Sequence, residues 1–308
     1  MPRRPREAAS GSAGRPLSGQ VAVVTGGSGG LGFGFAAALG RAGARVVVAS
    51  LPGSGVPEAV TRLAQVGVEA VGVEADVTDL AAVERIRDRA LEWGGLDVWV
   101  NNAGVSGIYG PTYLTPVDVF DRVVDVNIRA VHHGTRTAVT TMLEQGRGHV
   151  VNVWGKGATK PVPWQNAYAT SKAWNRQYTR TVRSELKGTG VRVHGFDPGL
   201  VKTEMLSEVT VTPGMEKRVA ALPWVVGLWA QAPELAAAPI VPLVVRDHDD
   251  HADLTVPTIL GRGLRSVVQG NLRRSNRMPL TVRTLDVTSG RSPSDADADE
   301  PGLTKQPS

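Results

Sequence analysis

Residues 20–44 read QVAVVTGGSGGLGFGFAAALGRAGA. The opening run, Gln20–Thr25, is short, β-branched and apolar at consecutive positions, which predicts a strand covered on both faces, as in a parallel sheet between helix layers. The closing run, 31–42, is Ala-rich and predicts a helix. Between them lie glycines in two overlapping spacings, Gly27-x-Gly29-x-x-Gly32 and Thr25-Gly26-x-x-x-Gly30-Leu31-Gly32. Glycine permits a tight turn and lets backbone N–H groups come close to a pyrophosphate, while the following helix directs its positive end at that charge. Glycine-rich turns also arise for packing alone, but the strand–turn–helix setting points to a nucleotide site.

The same alternation continues outward. Further strands are expected at Arg45–Ala49, Ala70–Ala75, Asp97–Asn101, His149–Val153, Val191–Phe196 and Thr281–Val287, and further helices at 57–66, 79–92, 116–145 and 167–187. Strands alternating with helices give right-handed crossovers, so the expected fold is α/β, a doubly wound parallel sheet of about seven strands with helices on both faces. Residues 1–18 and 289–308 are rich in Pro, Gly, Ser and charge and read as flexible tails around one domain at 19–288. Positions 219–245 are the most apolar region. Pro223, Pro233, Pro239 and Pro242 interrupt them, so they read as a buried or substrate-covering segment, about 205–245, and not as a membrane span.

The chain has 308 residues, 42% of them hydrophobic, and no cysteine. Disulfides, thiolate metal sites and cysteine nucleophiles are excluded, and a cytoplasmic location fits. The net charge of +5 is concentrated in the first 19 residues and in an Arg-rich stretch from Gly261 to Arg291. Without interleaved aromatics or a docking motif these charges read as a solvated surface, with no nucleic-acid or membrane partner expected. His132 and His133 lie in a predicted helix, and the run DHDDHAD at 247–253 reads as a solvated loop, so no metal is expected.

The second strand ends at RVVVASLPG. An acid at its end would hold the ribose hydroxyls of NAD and repel a 2′-phosphate. Ser50 stands there instead, no arginine follows to attract a phosphate either, and Ser28 and Ser50 offer hydroxyls to one. The cofactor is read as NAD(P), inclined to NADP.

Residues 166–172 read NAYATSK, with Tyr168 and Lys172 one helical turn apart. Together with TGGSGGLG, DVTD at 76–79, NNAG at 101–104, Asn127 in VVDVNIRAVHHGTR and DPGLVKTEM at 197–205, this resembles the short-chain dehydrogenase/reductase family over about 18–210, with TVRTLDVTSG at 281–290 resembling the family's last strand. The resemblance implies a Rossmann-type fold and an NAD(P)-dependent oxidoreductase that interconverts a carbonyl and a secondary alcohol. It implies a cofactor site of Thr25, Gly26, Ser28, Gly30, Leu31, Gly32, Ser50, Asp76, Val77, Asn102, Ala103, Gly104, Tyr168, Lys172, Pro198, Gly199 and Thr203. It further implies Tyr168 as general acid/base, Lys172 on the nicotinamide ribose, Asn127 supporting a water relay, and a homodimer or homotetramer. A neighbouring ammonium is expected to lower the phenol's pKa toward neutrality, where a base works best.

One position departs from the family. Where it keeps a serine, thirteen residues before the tyrosine, this chain runs VVNVWGKGATK, with Gly155 in that place and Trp154 before it. A water, Thr159 or the Trp154 indole N–H would fill the gap, or the substrate would bring its own donor, or the chain would bind cofactor without turnover, as a sensor. Trp154, Trp164, Trp224 and Trp229 suggest an apolar small-molecule substrate, with Gly155, Trp154 and Trp164 lining its pocket; core packing or a subunit contact would equally account for them.

Overall fold

The computed structural model describes residues 14–245, 254–255 and 281–285. The strands in chain order are β1 (Val21–Thr25), β2 (Arg45–Ser50), β3 (Ala70–Glu74), β4 (Val98–Asn101), β5 (Gly148–Val153), β6 (Val191–Asp197), β7 (Glu208–Val211), β8 (Leu254–Thr255) and β9 (Thr281–Thr284). The helices are α1 (Gly30–Arg41), α2 (Val56–Gln65), α3 (Leu80–Glu92), α4 (Val117–Val124), α5 (Ala130–Gln145), α6 (Asn166–Glu185), α7 (Glu216–Val219), α8 (Leu222–Trp229), α9 (Pro233–Ala237) and α10 (Ile240–Val245). Six strands pair in parallel in the order β3-β2-β1-β4-β5-β6, and the two-residue β8 adds a seventh beside β6.

Period-two alternation divides each central strand between two cores. Ala22, Val24, Val46, Val48, Val98 and Val100 face one layer with Phe35, Leu39 and Ile240. Val21, Val23, Val47, Ala49 and Trp99 face the other with Val83, Ile86, Ala138 and Met142. Each buried Val contributes about 1.5–3 kcal/mol, which is why β1 is apolar at both parities. The strand order reverses between β1 and β4, and the crevice at the carboxyl ends of those two strands is where such a sheet binds ligands.

Three expectations change. Thr281–Thr284 is a strand but does not close the main sheet; it pairs in parallel with β7, inside the stretch 205–245. Side-chain contacts accompany that pairing: Arg283 Nε lies 2.7 Å from Glu208 Oε1, and Thr284 Oγ1 donates to Glu216 Oε1 at 3.0 Å. The amino-terminal tail does not extend to 18. Leu17 is fully buried in the core, and its N–H donates to Ala42 O at 2.9 Å. The expectations for 1–13, for the DHDDHAD run, for the Arg-rich stretch except Arg283, and for 289–308 lie outside the described residues. Finally, the helix expected at 116–145 is α4 and α5 joined by a π turn at Asp125–Arg129. No helix among the described residues is long and apolar enough to cross a membrane, and none of their His, Asp and Glu side chains cluster for a metal ion.

Candidate active site

The glycine turn leads from β1 directly into α1. Gly26 has φ +61° and Gly30 φ +49°, left-handed angles that glycine adopts without strain. Contact is as demanding as conformation. A Cβ on Gly32 would lie 2.0 Å from Gly26 O and 2.6 Å from Asn102 Nδ2, and one on Gly26 would lie 2.9 Å from Ala103 Cα. Asn102 holds the turn by donating from Nδ2 to Thr25 O (2.9 Å) and Gly26 O (3.1 Å). Thr25 Oγ1 accepts from the N–H of Asn102 and Ala103 and donates to Val100 O. At the start of α1 no side chain caps the helix, and Gly29 faces open space. Leu31 lies in that first turn, partly buried. A cradle that any Cβ would fill, beside an uncapped helix start, fits a pyrophosphate.

The flanks are built similarly. Ser28 Oγ donates to Ser50 Oγ at 3.0 Å, and Ser50 Oγ also accepts from Ser28 N–H at 3.3 Å. Asp76 Oδ1 accepts from Thr78 N–H and Oγ1, shaping the loop that carries the buried Val77. Gly199 has φ +68°, and its N–H donates to Asp197 Oδ1 after the buried Pro198. Thr203 reaches across to the glycine turn, its Cγ2 lying 3.2 Å from where a Cβ on Gly30 would be.

The π turn places Asn127, fully buried, against the loop after β4. Its Oδ1 accepts from Val105 N–H at 2.9 Å, and its Nδ2 donates to Val105 O (2.9 Å) and Ser171 Oγ (3.1 Å). Single π turns in α-helices recur at functional sites, and this one lets a mid-helix side chain tie a loop to α6. A Cβ on Gly104 would meet Asn127 Oδ1 at 3.2 Å and Lys172 Nζ at 3.8 Å, so the loop, the π turn and α6 converge here.

On α6, Lys172 is buried, its Nζ donating to Val153 O at 3.3 Å and lying 5.5 Å from the Tyr168 ring centroid. Val153 O also accepts from Asn175 Nδ2. Burial lowers the Lys172 ammonium to about 8, against an upward pull from the Asp197 carboxylate. Burial likewise pushes the Tyr168 phenol well above its ordinary range, and Tyr109 and Asp197 add to that effect. The phenol is therefore raised, not lowered as expected from its neighbouring cation, because its own desolvation dominates.

Gly155 is buried, and a Cβ added there would stand 2.8 Å from Tyr168 Oη. Trp154 does not line the pocket as expected. Its Nε1 donates to Thr179 Oγ1 at 3.3 Å, its ring packs on Gly195, and it is 4% exposed. It belongs to a buried ladder in which Asn101, Thr135, Asn152 and Thr179 join β4, β5, α5 and α6. Thr159 is exposed on the following loop. Trp164 is exposed at the head of that loop's return to α6. It is the only non-glycine residue with positive φ among the described residues, at +70°. Its carbonyl accepts from Gly110 N–H at 2.9 Å and its ring lies 4.8 Å from the Arg218 guanidinium.

Some site residues escaped the sequence. Arg62, on α2, donates from Nη2 to Ser28 O at 2.8 Å and lies over the Phe33 ring. The expectation that no arginine follows β2 to attract a phosphate is thus corrected: the helix after it returns Arg62 to the same corner. Ser54 Oγ lies 3.5 Å from Ser28 Oγ in the same cluster. Asp197 acts electrostatically on both Tyr168 and Lys172; it sits inside DPGLVKTEM, where only the residues after it carried an implied role.

Known proteins resemble this chain in sequence and fold. The family model for short chain dehydrogenases matches residues 20–213. Over 192 residues the chain is 41% identical to the 1-deoxy-11-beta-hydroxypentalenate dehydrogenase of Streptomyces avermitilis, covering 61% of this chain and 71% of that protein. Among solved structures, a variant of the actinorhodin polyketide ketoreductase with NADPH superposes with a TM-score of 0.66 at 28% identity, covering 74% of this chain and 91% of that one. A putative NAD(P) dependent gluconate 5-dehydrogenase from Beutenbergia cavernae with bound NADP gives 0.64 at 27% identity, covering 89% and 98%.

Proposed function

The chain belongs to the short chain dehydrogenase family and is an oxidoreductase of CH–OH groups, and from that premise we propose that it interconverts a carbonyl and a secondary alcohol with NADP as cofactor. The observation that carries this reading is the convergence of Tyr168, Lys172 and Asn127 beside Gly104, at the crevice next to the glycine turn. When bound, the nicotinamide gives or takes the hydride. The backbone of Gly26, Gly30, Leu31 and Gly32 would hold the pyrophosphate, Asp76 and Val77 the adenine, Lys172 the nicotinamide ribose, and Pro198, Gly199 and Thr203 the nicotinamide amide.

The chain's own part is the proton. In reduction, Tyr168 gives the proton of Oη to the developing alkoxide; in oxidation the phenolate takes it from the alcohol. A phenol kept protonated by burial is ready for the first role at neutral pH. The proton it loses is replaced through Lys172, whose own pKa near 8 suits exchange with solvent. Asn127 steadies the loop and the α6 turn through which that exchange passes.

NADP is favoured over NAD by the corner of Ser28, Ser50, Ser54 and Arg62, with a cation and three hydroxyls close to the end of β2, and by the two NADP-bound relatives in structure. Trp164, Trp224 and Trp229, each more than a third exposed near the cover at 205–245, favour an apolar substrate. Val117 and Phe120 on α4, exposed at 75% and 41%, favour a homodimer or homotetramer through these helices. The lack of cysteine suits a cytoplasmic setting.

A panel of carbonyls and alcohols with NADP(H) and NAD(H) tests this. Turnover that Tyr168→Phe removes supports it. Cofactor binding by both forms with turnover by neither would instead make the chain a nucleotide sensor. Arg62→Leu is expected to weaken NADP about tenfold or more and to leave NAD nearly unchanged.

A further inference from the structure

Gly155 stands out among the glycines of the site. A left-handed backbone does not require it, since its φ is not positive. Backbone crowding does not require it either. An added Cβ would find Tyr168 Cζ at 3.7 Å and Lys172 Cε at 3.8 Å, both ordinary contacts, and its only tight neighbour would be Tyr168 Oη at 2.8 Å. Gly32, by contrast, is excluded from substitution by a carbonyl at 2.0 Å, and Gly157 by both its φ of +108° and Ala169. The one atom that would have to give way to a side chain at 155 is therefore the oxygen of the phenol. Among the described residues that oxygen has no hydrogen-bond partner to hold it elsewhere.

We propose that Gly155 is a positioning residue: the room left by its missing side chain is the seat of the Tyr168 oxygen, so the pocket is shaped around the glycine and is not a serine site that lost its hydroxyl. The functional half of this inference rests on Tyr168 acting as the acid/base group. In such a pocket the substrate oxygen meets the phenol and no side-chain hydroxyl from position 155. A side chain added there must displace Oη sideways, away from a reacting atom it has to meet within hydrogen-bond reach.

Crystal structures and kinetics of Gly155→Ala and Gly155→Ser decide it. In Gly155→Ala, Oη is expected to move by about 0.5 Å, to an ordinary contact distance, with the α6 backbone in place. In both variants kcat is expected to fall about tenfold to a hundredfold, because small misplacements of reacting groups are costly. Cofactor Kd and thermal midpoint are expected to stay at wild-type values, a split that a merely structural lesion would not give. A rise in kcat for Gly155→Ser, or an Oη that does not move in Gly155→Ala, overturns the proposal. If the wild type turns over no substrate, the oxidoreductase reading fails while the crystallographic displacement still decides the seat.

Discussion

Removing the Tyr168 hydroxyl leaves its ring in place, so Tyr168→Phe is expected to lose about two to four orders of magnitude in turnover with cofactor binding intact; equal loss of binding would mean that the ring supports the cleft. Lys172 makes a prediction about stability. Its folded pKa is near 8, below the ordinary 10.5. The folded protein then binds fewer protons than the unfolded chain between those values, so stability rises with pH across that window. Urea midpoints of wild type minus Lys172→Met are expected to be higher near the top of the window than at neutral pH; a flat difference would mean that Lys172 is not held in a desolvated site. At this scale the sequence was legible where chemistry repeats in short spacing. Tyr168 and Lys172 are one turn apart, and Asn102 follows a strand end. It was illegible where burial decides, because the opposite signs of the two pKa shifts come from desolvation that no spacing reveals. Arg62 was hidden by distance along the chain: its partner Ser28 is 34 residues away.

Among the elements, the loop from β5 to α6 carries local strain. Trp164 sits at φ +70°, where a residue with a Cβ costs about 1–2 kcal/mol more than glycine. Gly110 and Arg218 hold it there. Trp164→Gly is therefore expected to be about 1 kcal/mol more stable than Trp164→Ala in chemical denaturation; equal stability would mean that the loop relaxes out of the left-handed region. Element positions were read closely from periodicity, since apolar runs as short as β1, β2 and β4, bounded by turn residues, suit a strand covered on two faces and little else. The π turn was not legible, because helix periodicity survives one extra residue per turn. Nor was the partner of β9. Alternation marks a strand but says nothing of which edge receives it, and the short EVTV of β7 lay unnoticed within the covering segment.

Across the whole molecule, two parallel pairings divide the work. The seven-stranded sheet sets the crevice beside the glycine turn, and β7 with β9 forms a second small sheet, with the contacts Arg283–Glu208 and Thr284–Glu216, in the stretch proposed to cover the substrate. Tyr109, whose N–H donates to Thr210 O and whose carbonyl accepts from Thr212 N–H, links that small sheet to the loop after β4. A chain ending at residue 280 is expected to bind cofactor as the full protein does, and to show a several-fold higher KM for substrate. Unchanged KM would mean that the cover closes without β9.

The pairing of β9 with β7 joins residues more than seventy positions apart. During synthesis the strands β1 to β6 emerge well before β9, since a chain is made and folds from the amino terminus. In a nascent chain β7 would stand without its partner strand until β9 emerges. Pairing of β7 would then be a late event, made only after residues 281–284 have been synthesised.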